Sequence, residues 1–161
     1  MQHVRKFVIS CLFASIMLPG MAFAEDPPVT PLATGIVSSG VAEAQVTEAV
    51  RHGEILTIKV RFMRFKGLKD NLNGQGLYSS LDKSSLEKSF YILVGNKKYL
   101  LLTDSNNVPL ASPNVSFSSS SGIPYVATWF GSFPAPPPDV KEVYLTIANV
   151  EPLGPIAITD R

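Results

Sequence analysis

Residues 54–64, with the sequence EILTIKVRFMR, alternate between apolar and polar side chains. The apolar set is Leu56, Ile58, Val60 and Phe62, and the opposite set is Thr57, Lys59, Arg61 and Met63. A period of two residues places each set on one face of a β-strand, whereas an α-helix would scatter both sets around its axis. The sequence therefore predicts a half-buried β-strand whose apolar set faces a core.

Other segments carry weaker strand signals. Residues 44–50 alternate less clearly, and Arg51-His52-Gly53 is interpreted as the turn that joins them to residues 54–64. Residues 89–94 and 98–102 flank Gly95-Asn96, a pair suited to a tight hairpin turn. Both runs are almost continuously apolar, so they are predicted to be central strands covered on both faces. Strands are also predicted at 123–133, 140–148 and 155–159, with the proline run 134–138 as a connector.

The order of these elements predicts an all-β fold. No βαβ pattern occurs, and the one helical signal is residues 84–88, with Ser84 as N-cap. About seven short strands favour a two-sheet antiparallel Ig-like β-sandwich. Val143, Leu145 and Ile147 are predicted to face its core. The serine-rich residues 105–122 are predicted to be a mobile loop.

The N-terminus has the pattern of a bacterial signal peptide. Arg5 and Lys6 precede an apolar stretch at residues 7–18, and Ala22-Phe23-Ala24 supplies the small residues that a signal peptidase reads. We therefore expect residues 1–24 to be removed, residues 25–40 to form a flexible leader and residues 41–161 to form the domain. The protein is expected to be periplasmic or secreted, with no transmembrane segment in its mature chain.

Cys11 is the only cysteine. It lies near the start of the apolar stretch, where a lipoprotein cleavage site would leave too short a hydrophobic core before it. We therefore interpret Cys11 as part of the signal peptide, with lipidation left open as the alternative. The mature chain would then contain no cysteine, so its stability must come from core packing and not from disulfides.

Three segments occur in the order YILVGNKKYLLLTD, WFGSFPAPPPDVKEVYLTI and PLGPIAITD. Together they resemble small exported bacterial Ig-like domains, also called telokin-like, over residues 41–160. The two cysteines that flank the core tryptophan of antibody domains are missing here. The resemblance implies a sandwich fold and transfers no activity, because many functions share this architecture.

Few residues point to catalysis or to metal binding. His52 is the only histidine of the expected mature chain and lies in a predicted turn. The segment Asp70-Asn71-Leu72-Asn73-Gly74 has oxygen donors but lacks the downstream glutamate of a calcium loop. Neither a Gly-x-Ser-x-Gly motif nor a phosphate-binding glycine pattern occurs. The sequence therefore predicts a protein that is not an enzyme and has no metal or cofactor.

Two features are candidate binding surfaces. The first is basic and consists of Lys59, Arg61, Arg64, Lys66 and Lys69. The second is aromatic and consists of Tyr125, Trp129, Phe130 and Phe133. Arginine beside an aromatic ring can bind phosphate or carboxylate groups, but a basic strand face is also a common protection of a sheet edge. Trp129 is interpreted first as a core residue and second as a ligand contact.

These observations predict an exported binding module that contacts a protein of the cell envelope or a secreted protein. An inhibitor or immunity role belongs to the same class and is not separated from it by the sequence. The alternative is a module that binds a glycan or small molecule at the aromatic end of the sandwich. The near-neutral charge, formally +1 for the whole chain, disfavours nucleic acid as a partner.

Overall fold

A computed structural model describes residues 30–65, 72, 74–81, 83–118 and 125–161. The elements are β1 Ala33–Ile36, β2 Ala42–His52, β3 Ile55–Arg64, β4 Gly76–Tyr78, α1 Lys83–Ser89, β5 Tyr91–Val94, β6 Lys97–Leu100, β7 Val115–Ser116, β8 Tyr125–Pro134, β9 Glu142–Thr146, β10 Leu153–Ala157 and β11 Thr159–Asp160. The chain is thus almost entirely β-structure, as predicted, although eleven strands are described where about seven were expected. The predicted signal peptide lies outside the described residues.

Two antiparallel sheets pack face to face. The first has the order β1-β2-β3-β8, with β11 pairing with β2, and the second has the order β10-β9-β5-β6; β4 and β7 form a separate short pair. The side chains predicted to face the core are all buried, namely Leu56, Ile58, Val60, Phe62, Val143, Leu145 and Ile147. This burial confirms the all-β sandwich and the strand register inferred from alternation.

An irregularity in β2 explains its weak sequence pattern. Val46 pairs with Val60 and Glu48 pairs with Lys59, so Thr47 is an extra residue in β2. Such a β-bulge reverses which side chains point inward. The buried residues of β2 are accordingly Ala42, Ala44 and Val46 before the bulge, and Ala49 and Arg51 after it.

The turn between β2 and β3 lies at a different position from the one predicted. Arg51 is a buried strand residue, and the turn consists of Gly53 and Glu54. Gly53 has a φ of 57°, a backbone conformation that glycine adopts without steric cost. The β2–β3 hairpin is therefore confirmed. Its turn was predicted to start at Arg51 but starts two residues later, at Gly53.

Backbone hydrogen bonds join the two sheets along both sides of the sandwich. On one side, the Glu151 amide donates to the Ile36 carbonyl at 3.0 Å. On the other, the Leu102 amide donates to the Ser132 carbonyl at 2.9 Å. Because these contacts occupy backbone groups beside β1 and β8, the edges of the first sheet are partly covered.

The prediction that residues 25–40 form a flexible leader is wrong for residues 33–37, which are part of the folded domain. Ala33–Ile36 pairs with β2 in antiparallel register, and Val37 is buried and bridges to Val150. The strand has only four residues, of which Ala33 packs against the core, and it is held by backbone pairing with β2 on one edge and with Glu151 on the other. The folded domain therefore begins before residue 41.

The predicted loop at 105–122 is mostly exposed where it is described, but three of its residues pack into the core. Ala111, Val115 and Phe117 are buried, and the Phe117 ring lies 5.8 Å from that of Phe62. The Asp104 carboxylate accepts the Val108 amide at 2.8 Å, which fixes a turn at the start of the segment. The segment is therefore anchored in the core at these three residues, whereas most of its other described residues are exposed; residues 119–122 lie outside the described residues.

The second predicted hairpin is present, with Gly95 and Asn96 as its turn. Its strand β5 is central, between β9 and β6, as expected. The prediction that both strands are covered is wrong for β6, which ends the sheet order and exposes Lys97, Lys98 and Leu100. A lysine-bearing edge discourages pairing with another chain.

The C-terminal strands differ from the prediction in one respect. The single strand expected at residues 155–159 is two strands that pair in different sheets. β10 pairs with β9, and β11 pairs in parallel with β2.

The helix at Lys83–Ser89 confirms the helical signal predicted at 84–88. Ser84 lies inside this helix, so the prediction that it is the N-cap is wrong.

Tyr78, the last residue of β4, is held by a hydrogen bond and a ring contact. Its hydroxyl donates to the Ser112 carbonyl at 2.7 Å, and its ring packs edge-on against Phe90 at 5.1 Å. Burial raises the pKa of Tyr78 from 10.0 to about 12, with an opposing contribution from the Trp129 side chain. The folded state thus retains this proton over a pH range in which the unfolded state loses it.

We expect the free energy of unfolding to fall as the pH rises from about 10 to about 12, and to fall less steeply in Tyr78→Phe. Other groups that titrate in this range affect both proteins equally. Below pH 10 the variant should lose only about 1 kcal/mol, for one hydrogen bond. Urea unfolding at each pH measures both profiles, and parallel profiles would contradict the raised pKa.

Candidate functional site

The predicted basic residues of β3 lie on the outward face of the first sheet, where β2 partners hold them. Lys59 Nζ lies 2.7 Å from Glu48 Oε2. Arg61 Nε donates to Gln45 Oε1 at 3.0 Å. Both cations therefore have a partner side chain on β2, and the charge of Lys59 is compensated by a neighbouring carboxylate.

The structure brings together only part of the predicted basic cluster. Arg64 ends β3, is half-buried and has interaction partners of its own. Lys66 and Lys69 lie outside the described residues. Of the predicted basic cluster, Lys59 and Arg61 therefore form the part that lies together on the outward face of the first sheet.

The predicted aromatic cluster is divided between the two faces of β8. Trp129 and Phe133 are buried in the core, which agrees with the first interpretation of Trp129. Phe130 and Tyr125 are 44% and 41% exposed. The exposed pair therefore lies on the outward face of the first sheet, and not at an end of the sandwich as expected.

Strand pairing brings the basic and aromatic features side by side. Lys59 pairs with Phe130, and Arg61 pairs with Thr128. A hollow of about 480 Å³ lies among these four residues, and Thr47 and Tyr125 also line it. We call the surface formed by Lys59, Arg61, Tyr125, Thr128 and Phe130 the basic–aromatic face. Its members were predicted as two separate features, because a sequence does not show which strands pair.

A larger concavity lies at the end of the sandwich where the β2–β3 turn meets the proline run. It has a volume of about 730 Å³. Its walls are Ile55, Tyr99, Leu102 and residues 134–138, and its charged lining residues are Arg51, Glu54 and Lys97. We call this concavity the proline groove.

Arg51 is the residue of the proline groove that sequence analysis missed as a candidate. It is only 6% exposed, and its Nη2 donates to the Val140 carbonyl at 2.6 Å. Its Nε lies 3.4 Å from Asp160 Oδ1, and its Nη1 has no hydrogen-bond acceptor among the described residues. The sequence carried no clear signal for this, because the inward position of residue 51 results from the extra residue at Thr47 in the pairing of β2 with β3.

The residues considered for catalysis or metal binding are described only in part. His52 ends β2 and is exposed, with Nδ1 lying 3.1 Å from the Arg161 carbonyl oxygen. Of the segment at 70–74, only Leu72, which is buried, and Gly74 are described. Within the described ranges, no group of three or more histidine, cysteine, aspartate or glutamate side chains could hold a metal ion.

In the part of the chain that the structure describes, no helix has the length and apolar character needed to cross a bilayer.

Comparison with protein-family models, curated proteins and solved structures finds no match to this chain. The resemblance to telokin-like domains therefore stays a prediction.

Proposed function

We propose that this chain is an exported, non-catalytic binding module that contacts a protein of the cell envelope through its basic–aromatic face. The observation that carries the proposal is the position of Phe130. Its apolar ring is 44% exposed on a regular strand, paired with Lys59 and separated from the Arg61–Thr128 pair by one residue pair. Export is supported by the N-terminal sequence pattern alone.

The chemistry of this face suits a protein interface. Aromatic residues and arginine are enriched at such interfaces and supply most of their energetic hot spots. Burying a phenylalanine side chain completely contributes about 1.5–3 kcal/mol, so a partner that covers Phe130 gains part of this amount. Thr47 and Thr128 add hydroxyl groups at the border of the same hollow.

The compensated charge of Lys59 does not prevent it from contacting a partner. Its side chain is 55% exposed, and an exposed ion pair such as Lys59–Glu48 contributes only about 0–1 kcal/mol. Lys59 can therefore exchange Glu48 for a carboxylate of the partner at little cost. This exchange would make an acidic partner surface favourable and binding sensitive to salt.

A second candidate function is the binding of a glycan or small molecule on the same face. The volume of the hollow, about 480 Å³, favours it because ligand pockets usually measure about 300–1,000 Å³. We place it second because Phe130 and Lys59 are exposed strand residues on the outside of a sheet and do not line an enclosed cleft.

Site-specific photo-crosslinking separates the two functions. A benzophenone amino acid at position 130 should give one discrete protein adduct in cells that export the chain. The matched control is position 144, because Tyr144 is 48% exposed and lies on β9 in the other sheet. The proposal predicts an adduct at 130 and none at 144. Equal adducts at both positions, or no protein adduct at 130, would contradict it.

A further inference from the structure

We propose that the proline groove is a second binding site, which takes the C-terminal carboxylate of an extended peptide and recognises it with Arg51. The site is separate from the basic–aromatic face. Its residues come from the β2–β3 turn region, β6 and the connector after β8. It does not depend on the function proposed above.

The guanidinium of Arg51 has unused hydrogen-bonding capacity in a buried position. An arginine side chain carries five N–H donors in a planar fork and keeps its charge in proteins. Here Nη2 donates to the Val140 carbonyl, while neither Nη1 nor Nε, which lies 3.4 Å from Asp160 Oδ1, makes a hydrogen bond among the described residues. Leaving a buried charged donor unpaired is costly, and a carboxylate is the acceptor whose geometry fits this fork.

The placement of an arginine here is not explained by the needs of the core. The other buried residues of β2 are alanine or valine. A buried charged pair is often no more stabilising than apolar residues of similar volume. Arg51 also ties β2 to the connector at Val140 and lies beside Asp160 of β11, but these contacts leave Nη1 without an acceptor among the described residues, which favours an additional binding role.

The walls of the groove suit a peptide more than an isolated anion. Ile55 is exposed, and the prolines of residues 134–138 present ring carbons and carbonyl groups but no N–H donors. Carbonyls without neighbouring donors can accept N–H groups from a bound peptide. The volume of about 730 Å³ accommodates several residues.

The charges of the groove complement a carboxylate. The charged residues among the described lining of the groove are Arg51, Lys97 and Glu54, and this positive balance is offset in the free protein by Asp160, which lies 3.4 Å from Arg51 Nε. Lys97 Nζ lies 4.7 Å from the centre of the Tyr99 ring, so this second cation is held at the wall. The groove thus combines apolar walls with two cationic lining residues, the chemistry that capture of a peptide terminus requires.

Asp160 competes for Arg51 in the free protein. Its Oδ1 lies 3.4 Å from Arg51 Nε, and its Oδ2 lies 3.4 Å from Lys141 Nζ. This carboxylate is 55% exposed, so its removal leaves no buried cavity. Asp160→Asn should therefore increase the affinity for a peptide carboxylate.

The test is an NMR titration of the purified protein with an acetylated hexapeptide that ends in leucine with a free carboxylate. The same peptide with a C-terminal amide and acetyl-leucine are the comparison probes. We expect the free acid to bind at least about tenfold more tightly than the amide, and to shift the Arg51 Nε–H signal. Acetyl-leucine should bind more weakly than the hexapeptide, because it lacks the residues that contact the proline walls.

Variants at exposed positions keep the test independent of folding. Lys97→Gln should weaken binding of the free acid, and Asp160→Asn should strengthen it. The matched control for Lys97 is Lys98→Gln, because Lys98 Nζ packs 4.0 Å from the Tyr91 ring centre and does not line the groove. Its affinity should equal that of the parent protein.

Three results would overturn the proposal. Equal binding of acid and amide would mean that the groove recognises only an apolar chain, and equal binding of acetyl-leucine and hexapeptide would make the ligand a small acid. No binding, or shifts confined to the basic–aromatic face, would exclude the groove as the site. None of these results bears on crosslinking at position 130, so the two proposals fail separately.

Discussion

Replacing Ile58 or Leu145 with alanine is expected to lower the free energy of unfolding by about 2–5 kcal/mol. Both side chains are completely buried, and they lie on strands of opposite sheets that share one core. Truncation removes apolar area and leaves a cavity that the surrounding strands fill only in part. Equilibrium denaturation in urea measures the loss, provided that the slope of the transition stays unchanged.

The matched controls lie on the opposite phase of the same strands. Lys59→Ala on β3 and Glu142→Ala on β9 remove exposed side chains and should change the free energy of unfolding by only about 0.5 kcal/mol. A slip of one residue in the register would exchange the two sets. A comparable loss in both sets would therefore contradict the assignment of the inner face.

Gly131→Ala is expected to destabilise the protein by about 1–3 kcal/mol through overpacking. A β-carbon at this position would contact Trp129 Cη2, lie 2.7 Å from Trp129 Cζ2 and lie 2.9 Å from Leu101 Cδ2. These distances are far below van der Waals contact, and the buried Trp129 cannot move away without disturbing the core. Thermal or urea unfolding of the variant measures the loss.

A double-mutant cycle identifies the indole ring as the cause. Trp129→Phe removes the ring atoms nearest to the added methyl group and by itself should also be destabilising, because it leaves a cavity. In the double variant the methyl group occupies part of that space, so the combined loss should be smaller than the sum by about 1 kcal/mol or more. Additive losses would show that the tryptophan does not fill the space above Gly131.

The strands that could be predicted are those whose burial follows a regular period. β3 and β9 alternate without interruption, so both their position and their inward faces were predicted correctly. β2 could be placed but its inward face could not, because one extra residue at Thr47 reverses its phase. β1 was missed because it has only four residues, two of them small and half-buried, which is too short a pattern to stand out from a loop.

The candidate sites were predictable only as isolated residues. Lys59, Arg61 and Phe130 were recognised by their chemistry, but their proximity depends on the pairing of β3 with β8, two strands far apart in the chain. The role of Arg51 was missed because a residue next to a glycine turn is usually exposed. Its burial is a consequence of the bulge, which changes the side of the sheet that it faces.

The most direct test of a binding role for the outward face is an affinity measurement with the partner identified by crosslinking at position 130. Wild type and the double variant Lys59→Ala/Arg61→Ala would be compared by calorimetry at low and high salt. We predict that the double variant melts close to the wild-type temperature but loses affinity at least about tenfold, and that wild-type affinity falls as salt rises. Unchanged affinity in the folded double variant would contradict the assignment of this face as the binding surface.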